Sequence, residues 1–115
     1  MTKREIPAWM LGDSGWRGAW HILTCPLLEH KGVLSFVDLQ KHTFRYDLML
    51  ERCRGFSSGE YLMLEMAAAL FNEEPRVNLW NVVNTLSHNN VLVILEAIAI
   101  AAGMPASQAG KVAAE

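Results

Sequence analysis

The sequence predicts a single, mostly α-helical domain, and three observations lead to that prediction. Ser57 and Glu60 stand three residues apart, the spacing of a capping box in which each side chain accepts from the other residue's backbone N–H. From Tyr61 to Phe71 the only charge is Glu65, which is typical of a buried helix. With 115 residues, of which 51% are hydrophobic and 19% charged, the chain is long enough to bury one core.

The predicted architecture is a compact all-α bundle of five or six helices around a central buried helix at residues 58–71. Residues 1–13 are predicted to form an N-terminal arm, because they show no hydrophobic period. Residues 14–103 form the single helical domain in this prediction. Residues 104–115 consist mostly of small side chains and are predicted to be a flexible tail.

Before the central helix, one helix is predicted to be capped by Ser14 and to end before Pro26, since the residue before a proline disfavours helical geometry. A strand at residues 19–24 is the alternative. The helical prediction depends on apolar residues that recur at helical spacing, namely Trp16, Ala19, Trp20 and Leu23.

Two further helices are predicted at residues 35–41 and 43–54, where Thr43 would cap the second helix and Gly55 would end it. A strand at residues 33–39 is the alternative reading of this part of the chain.

Two more helices are predicted after the central one. Asn78 is predicted to cap a short helix, and Ser87 to cap a last helix that ends at Gly103, a residue type common just after helix C-termini.

The sequence argues against most chemical functions. The net charge of −2 is not that of a general polyanion binder, and the last predicted helix has no lysine or arginine to offer DNA. Phosphate-cradling glycines, carboxylates paired for a di-iron centre and a nucleophile with its base are also missing from the pattern. We therefore predict a protein that is not an enzyme, with no cofactor and no evident small-molecule substrate.

Two alternatives remain open. Arg45, Arg52 and Arg54 gather near the predicted 43–54 helix, and this basic face could serve a nucleic-acid-associated accessory factor. A second set, His21, Cys25 and His30, supplies zinc-ligand types for a small metal-binding protein, although its spacing is not that of a standard zinc site.

The chain is predicted to be cytoplasmic and not to associate with membranes. It shows no secretory signal, and its cysteines, Cys25 and Cys53, are expected to be reduced thiols. The longest run of low charge, residues 91–102, contains Glu96 and is too short to span a bilayer.

The chain is expected to carry more apolar helix surface than a lone small bundle can hide, and the alternative is that the fold buries all of it internally. The 58–71 helix and the last helix are both hydrophobic on all sides, and an exposed apolar face marks an association surface. We predict a small assembly subunit or modulator that binds another protein or a second copy of itself. The interface is predicted to contain large apolar side chains, namely Trp9, Trp16, Trp20, Leu23 and Trp80.

Glu65 and Glu96 each stand alone in an apolar helix, and a buried carboxylate must be paired or neutralised. The arginines of residues 43–54 are their predicted partners.

The segment from Ser57-Ser58-Gly59-Glu60 through Ala69-Leu70-Phe71-Asn72, followed by residues 78–103, resembles short uncharacterised proteins of bacteria and their phages. The resemblance is limited to these segments and brings no activity and no site residues. It implies a phage accessory protein, such as an inhibitor of a host complex.

Overall fold

The computed structural model describes residues 6–104, and this part of the chain is mostly helical. The predicted all-α bundle is confirmed, with one small antiparallel sheet added to it. Five α-helices are present in this part of the chain: α1 Ser14–Leu23, α2 Tyr46–Arg52, α3 Ser58–Phe71, α4 Leu79–Thr85 and α5 His88–Ala101. The sheet consists of β1 Val37–Asp38 and β2 Thr43–Phe44, and short 3-10 turns occupy Ala8–Met10 and Val33–Phe36.

Helix α1 packs against both α3 and α5 and forms the middle of the core. Its buried face includes the predicted apolar residues, so the helix is confirmed and the alternative strand at residues 19–24 is wrong. Its N-cap is Asp13 and not Ser14, because the Asp13 carboxylate accepts from the backbone N–H of Trp16 at 3.1 Å. Helix α3 is also largely buried, with Met63 and Leu64 fully enclosed, as its apolar sequence predicts.

The capping box at the start of α3 is confirmed. The Ser57 hydroxyl accepts from the Glu60 backbone N–H at 3.2 Å, and the Glu60 carboxylate accepts from the Ser57 N–H at 3.0 Å. The second of these bonds holds the pKa of Glu60 below its usual range, and Lys31, 3.1 Å away, lowers this pKa further. Two orphan N–H groups of the helix start are therefore satisfied locally.

The predicted boundaries of the last two helices are also confirmed. Asn78 caps α4 by accepting from Trp80, and Ser87 caps α5 by accepting from Asn90. Gly103 has a φ of 80°, and the N–H groups of Gly103 and Met104 donate to carbonyls at the end of α5. This is the Schellman arrangement, in which glycine takes the left-handed position just past a helix.

The helix predicted at residues 35–41 is wrong, because this part of the chain forms a turn and a hairpin. Val37 pairs with Phe44 across the two strands. The Asp38 carboxylate accepts from the backbone N–H groups of Gln40 and Lys41, which closes a side-chain turn in place of a helix. The alternative strand at residues 33–39 is therefore confirmed only at Val37–Asp38.

The helix predicted at residues 43–54 is present in shortened form as α2. Thr43 lies in β2 instead of capping the helix, and Arg45 occupies the cap position without a side-chain hydrogen bond. The helix ends at Arg52, before Gly55.

Part of the predicted N-terminal arm packs onto the helical domain. Met10 is fully buried, and the ring of Trp9 stacks on His42 with centroids 4.0 Å apart and an interplanar angle of 10°. Trp9 also meets the edge of Trp16 at 5.0 Å. Residues 1–5 and 105–115, which include almost all of the predicted tail, lie outside the described residues.

Candidate protein interface

Helix α5 presents an apolar stripe to solvent on the side that faces away from α1. Leu95 and Ile98 are 42% and 44% exposed, Ala102 is exposed and Val91 is half-buried. These residues are spaced by four, three and four positions, so they lie on one side of the helix. We call them the α5 stripe.

The opposite side of α5 is fixed on α1 by close backbone contact. A Cβ at Gly18 of α1 would lie 2.9 Å from the backbone oxygen of Ala97, so only glycine fits between the two helices. Ala97 and Ile94 are buried on this inner side. The packing thus determines which face of an all-apolar helix is left in solvent.

Helix α4, which two residues separate from α5, adds a second exposed apolar face. Leu79, Trp80 and Val83 are exposed, with Trp80 at 71%, whereas Val82 is the buried residue of this helix. We call these three exposed residues the α4 face. Among residues 6–104 eight large apolar side chains are exposed, and five of them belong to the α4 face or the α5 stripe. Such concentration differs from the scattered single apolar residues of ordinary surfaces.

The surface of α4 and α5 is also nearly free of charge. Glu96 is the single acidic or basic residue, histidine aside, between residues 77 and 104. Its carboxylate lies 3.2 Å from Nε2 of His21 on α1, so it is held toward the body of the protein. The prediction that Glu96 pairs with an arginine of residues 43–54 is therefore wrong, because α5 packs on α1 and not on α2.

Three of the predicted interface residues are placed in the core instead. Trp16, Trp20 and Leu23 are buried between α1 and its neighbours, so their side chains are not accessible to a partner. Their helical spacing marked a buried face correctly, but the face is covered by this chain itself. Trp9 is half-buried under its stack with His42, whereas Trp80 is exposed.

Sequence reasoning did not single out as interface residues the members of the α4 face and the α5 stripe other than Trp80, namely Leu79, Val83, Val91, Leu95, Ile98 and Ala102. The sequence of α5 did contain a signal. Its sole charged residue, Glu96, lies on one side of the helix, and the apolar residues spaced by four, three and four positions lie on another side. In an all-apolar helix, however, several such stripes fit equally well.

The predicted basic face is exposed but mixed in charge. Arg45 and Arg52 lie at the two ends of α2 and Arg54 follows in the next turn, all three in contact with solvent. Asp47 and Glu51 are exposed on the same helix, so the local field is not that of a continuous basic patch.

The candidate metal ligands do not form a cluster. His21 contacts Glu96, Cys25 is buried, and His30 is exposed in the turn that follows Leu28. Among residues 6–104 the structure brings together no group of three or more histidine, cysteine, aspartate or glutamate side chains that could hold a metal ion.

Glu65 lies in a groove between α3 and α4, beside Asn81 and Thr85. Within the described part of the chain no arginine forms an ion pair with it, which differs from the predicted pairing. Burial raises the pKa of the Glu65 carboxyl above its ordinary value of 4.5. The protonated form is therefore favoured in the folded state, and ionisation weakens folding.

Replacing Glu65 by glutamine is expected to raise the free energy of unfolding at pH 7 and to change it little at pH 4. The wild-type group stabilises the fold below its unfolded pKa of 4.5, and this contribution is lost as pH rises through the higher folded pKa. Urea denaturation at both pH values measures the difference. The control Glu60→Gln should lower the free energy of unfolding at pH 7, because the folded pKa of Glu60 is lowered. A Glu65→Gln variant that is less stable at pH 7 would contradict the assignment.

The longest helices among residues 6–104 have 14 residues, and none combines the length and hydrophobicity that crossing a bilayer requires. Comparisons of the chain with protein-family models, with curated proteins and with solved structures found no match.

Proposed function

We propose that this chain is a non-catalytic protein–protein interaction module that binds a polypeptide through the α4 face and the α5 stripe. The observation that carries the proposal is the exposure of five large apolar side chains on two consecutive helices. Leaving such side chains in water costs about 1.5–3 kcal/mol each relative to full burial, and a partner would recover part of that. Trp80 is the natural anchor, because tryptophan dominates binding energy at interfaces.

The wider role that we propose is that of a small subunit or modulator of a larger assembly in the cytoplasm. The resemblance of residues 57–72 and 78–103 to short bacterial and phage proteins supports a phage-encoded inhibitor of a host complex as one form of this role. The charge-poor surface supports a partner that is recognised by apolar contact.

Leu95→Lys is the variant that tests the proposed surface. A lysine in the centre of an apolar interface is expected to weaken binding by at least about 30-fold, which corresponds to the 2 kcal/mol of a hot-spot residue. Light scattering over a range of concentrations measures self-association, and affinity capture from the native host with quantitative mass spectrometry measures other partners. Circular dichroism checks that the fold is retained.

The matched control is Leu39→Lys. Leu39 lies in the β1–β2 turn and is 48% exposed, close to the value for Leu95, but it is remote in sequence from α4 and α5. The control is expected to bind like the wild type. If Leu95→Lys and Leu39→Lys retain every association equally, the α4 face and α5 stripe are not an interface and the proposed function is wrong.

The nucleic-acid alternative makes a different prediction, which the exposure of Arg45, Arg52 and Arg54 makes testable. An accessory factor that used these arginines would bind nucleic acid with an affinity that falls steeply with salt and with their replacement by alanine. Fluorescence anisotropy with a labelled duplex and a labelled single strand measures both. If the chain is a protein–protein interaction module, we expect neither the salt dependence nor the dependence on these arginines.

A further inference from the structure

We infer that the partner of the α5 stripe is a second copy of this chain, whose own α5 packs antiparallel against it about a two-fold axis. The inference rests on the proposed function and assigns the occupant of the same surface. Val91 of one copy would then face Ala102 of the other, and Leu95 would face Ile98.

The spacing of the α5 stripe supports a helix as the occupant. Val91, Leu95, Ile98 and Ala102 follow one another by four, three and four positions, which is the spacing of a and d residues in a helix–helix seam. Side chains so spaced form a narrow row that a second helix with the same spacing can interlock with. The row spans only two heptads, so α4 and its exposed Trp80 would have to extend the contact.

The scarcity of charge on these helices, where Glu96 is the one acidic or basic residue, histidine aside, and its side chain is 27% exposed, supports a second copy of the same chain. A two-fold interface places each surface patch against its own copy, so any charge within the patch meets the same charge nearby. Between residues 77 and 104 the one carboxylate, Glu96, is directed to His21 on α1. The remaining polar side chains of this segment are neutral or histidine and can pair with themselves. A partner chosen by charge complementarity would find no charge here to recognise.

The helix dipole supports the antiparallel orientation. In an antiparallel pair the partly positive N-terminus of each α5 lies beside the partly negative C-terminus of the other, whereas a parallel pair places like ends together. The first residues of α5, His88, Asn89 and Asn90, include no acidic side chain that could reverse this preference.

Cysteine cross-linking with two variants tests the pairing. Val91 and Ala102 are eleven positions apart, about 16 Å along the helix, whereas a disulfide requires Cα atoms about 4.4–6.8 Å apart. We therefore expect Val91→Cys and Ala102→Cys each to remain uncross-linked alone under mild oxidation. Mixed together, with one variant tagged to change its mass, they should form a covalent dimer of one chain of each kind.

The background of this experiment is low and its control is simple. The native Cys25 and Cys53 are buried, and burial raises the pKa of the Cys53 thiol, which slows its reaction. Asp47→Cys, at an exposed position of α2, mixed with Ala102→Cys reports random collision. The Val91/Ala102 mixture should cross-link about a hundredfold faster than this control at about 10 µM protein, since thiols held in a complex have effective concentrations in the millimolar range.

Two results would overturn the inference. Disulfide formation by Val91→Cys alone would show that the two helices pair in parallel or in another register. Failure of every mixture to exceed the control would show that α5 does not meet a second α5. If Leu95→Lys still abolished capture of another protein in that second case, the proposed function would stand with a different partner. If Leu95→Lys also left every association unchanged, the inferred dimer and the proposed function would both be wrong.

Discussion

Replacing Trp20 by alanine is expected to lower the free energy of unfolding by about 3–5 kcal/mol. Trp20 is 2% exposed and belongs to α1, the helix that packs against both α3 and α5. Truncating it removes one of the largest buried side chains of the core and leaves a cavity that a small core cannot close. Since domains of this size are typically stable by about 5–15 kcal/mol, the variant should unfold at much lower urea concentration, as measured by circular dichroism.

Trp80→Ala is the matched control for this prediction. The same truncation at an exposed position of α4 is expected to change the free energy of unfolding by less than about 0.5 kcal/mol. It should instead weaken association, since Trp80 belongs to the proposed interface. Equal destabilisation by the two variants would contradict the placement of Trp20 in the core and Trp80 on the surface.

A third variant, Trp20→Phe, separates packing from hydrogen bonding. The indole Nε1 of Trp20 is buried without a hydrogen-bond partner in the described part of the chain, and an unsatisfied donor costs about 1–3 kcal/mol. Phenylalanine keeps much of the ring volume and removes that donor. Its loss of stability relative to the wild type should therefore be smaller than the lost ring volume alone suggests, because removing the unsatisfied donor offsets part of the cost.

The parts of the fold that sequence reasoning predicted correctly are those decided by neighbours along the chain. The capping box of Ser57 and Glu60 involves residues three positions apart, and the glycine stop at Gly103 involves the last turn of its own helix. Such signals do not depend on how the rest of the chain folds. For this reason the boundaries of α3, α4 and α5 could be predicted before any tertiary contact was known.

The hairpin at residues 37–44 was missed because two local signals competed. Apolar residues in this part of the chain fit helical stripes, but Asp38 closes a turn onto Gln40 and Lys41, and His42 adopts a left-handed φ of 57°. Aspartate and histidine tolerate these conformations better than most residues do. The helical periodicity of the apolar residues extends over only a short stretch, and the turn-forming residues determine the structure there.

The candidate interface could not be predicted because burial of a helix face is a tertiary outcome. The sequence shows that Trp16 and Trp20 share a face, yet it does not show whether this chain or another covers them. The same holds for His21 and Glu96, which lie 75 positions apart and meet only because α5 packs on α1. The predicted excess of apolar surface led us to propose association, and the exposed apolar side chains are concentrated on α4 and α5 and not on α1.

Replacing Gly18 by valine is expected to lower the free energy of unfolding by about 3 kcal/mol, because it forces α1 and α5 apart. A Cβ at this position would lie 2.9 Å from the Ala97 backbone oxygen and 3.0 Å from the Ala101 Cβ. Neither neighbour can rotate away, since one is backbone and the other a β-carbon fixed to it. Gly18→Ala should also be destabilising, although the gain of about 1 kcal/mol in helix propensity offsets part of the cost.

Gly59→Ala is the matched control, because Gly59 also lies in a helix but a Cβ there would meet only Leu86 at 3.9 Å, an ordinary contact. It is expected to raise the free energy of unfolding by about 0.5–1 kcal/mol through helix propensity alone. Urea denaturation of the two alanine variants should therefore give shifts of opposite sign. Stabilisation by both would show that α5 does not rest on Gly18, and the face of α5 assigned to the α5 stripe would then have to change as well.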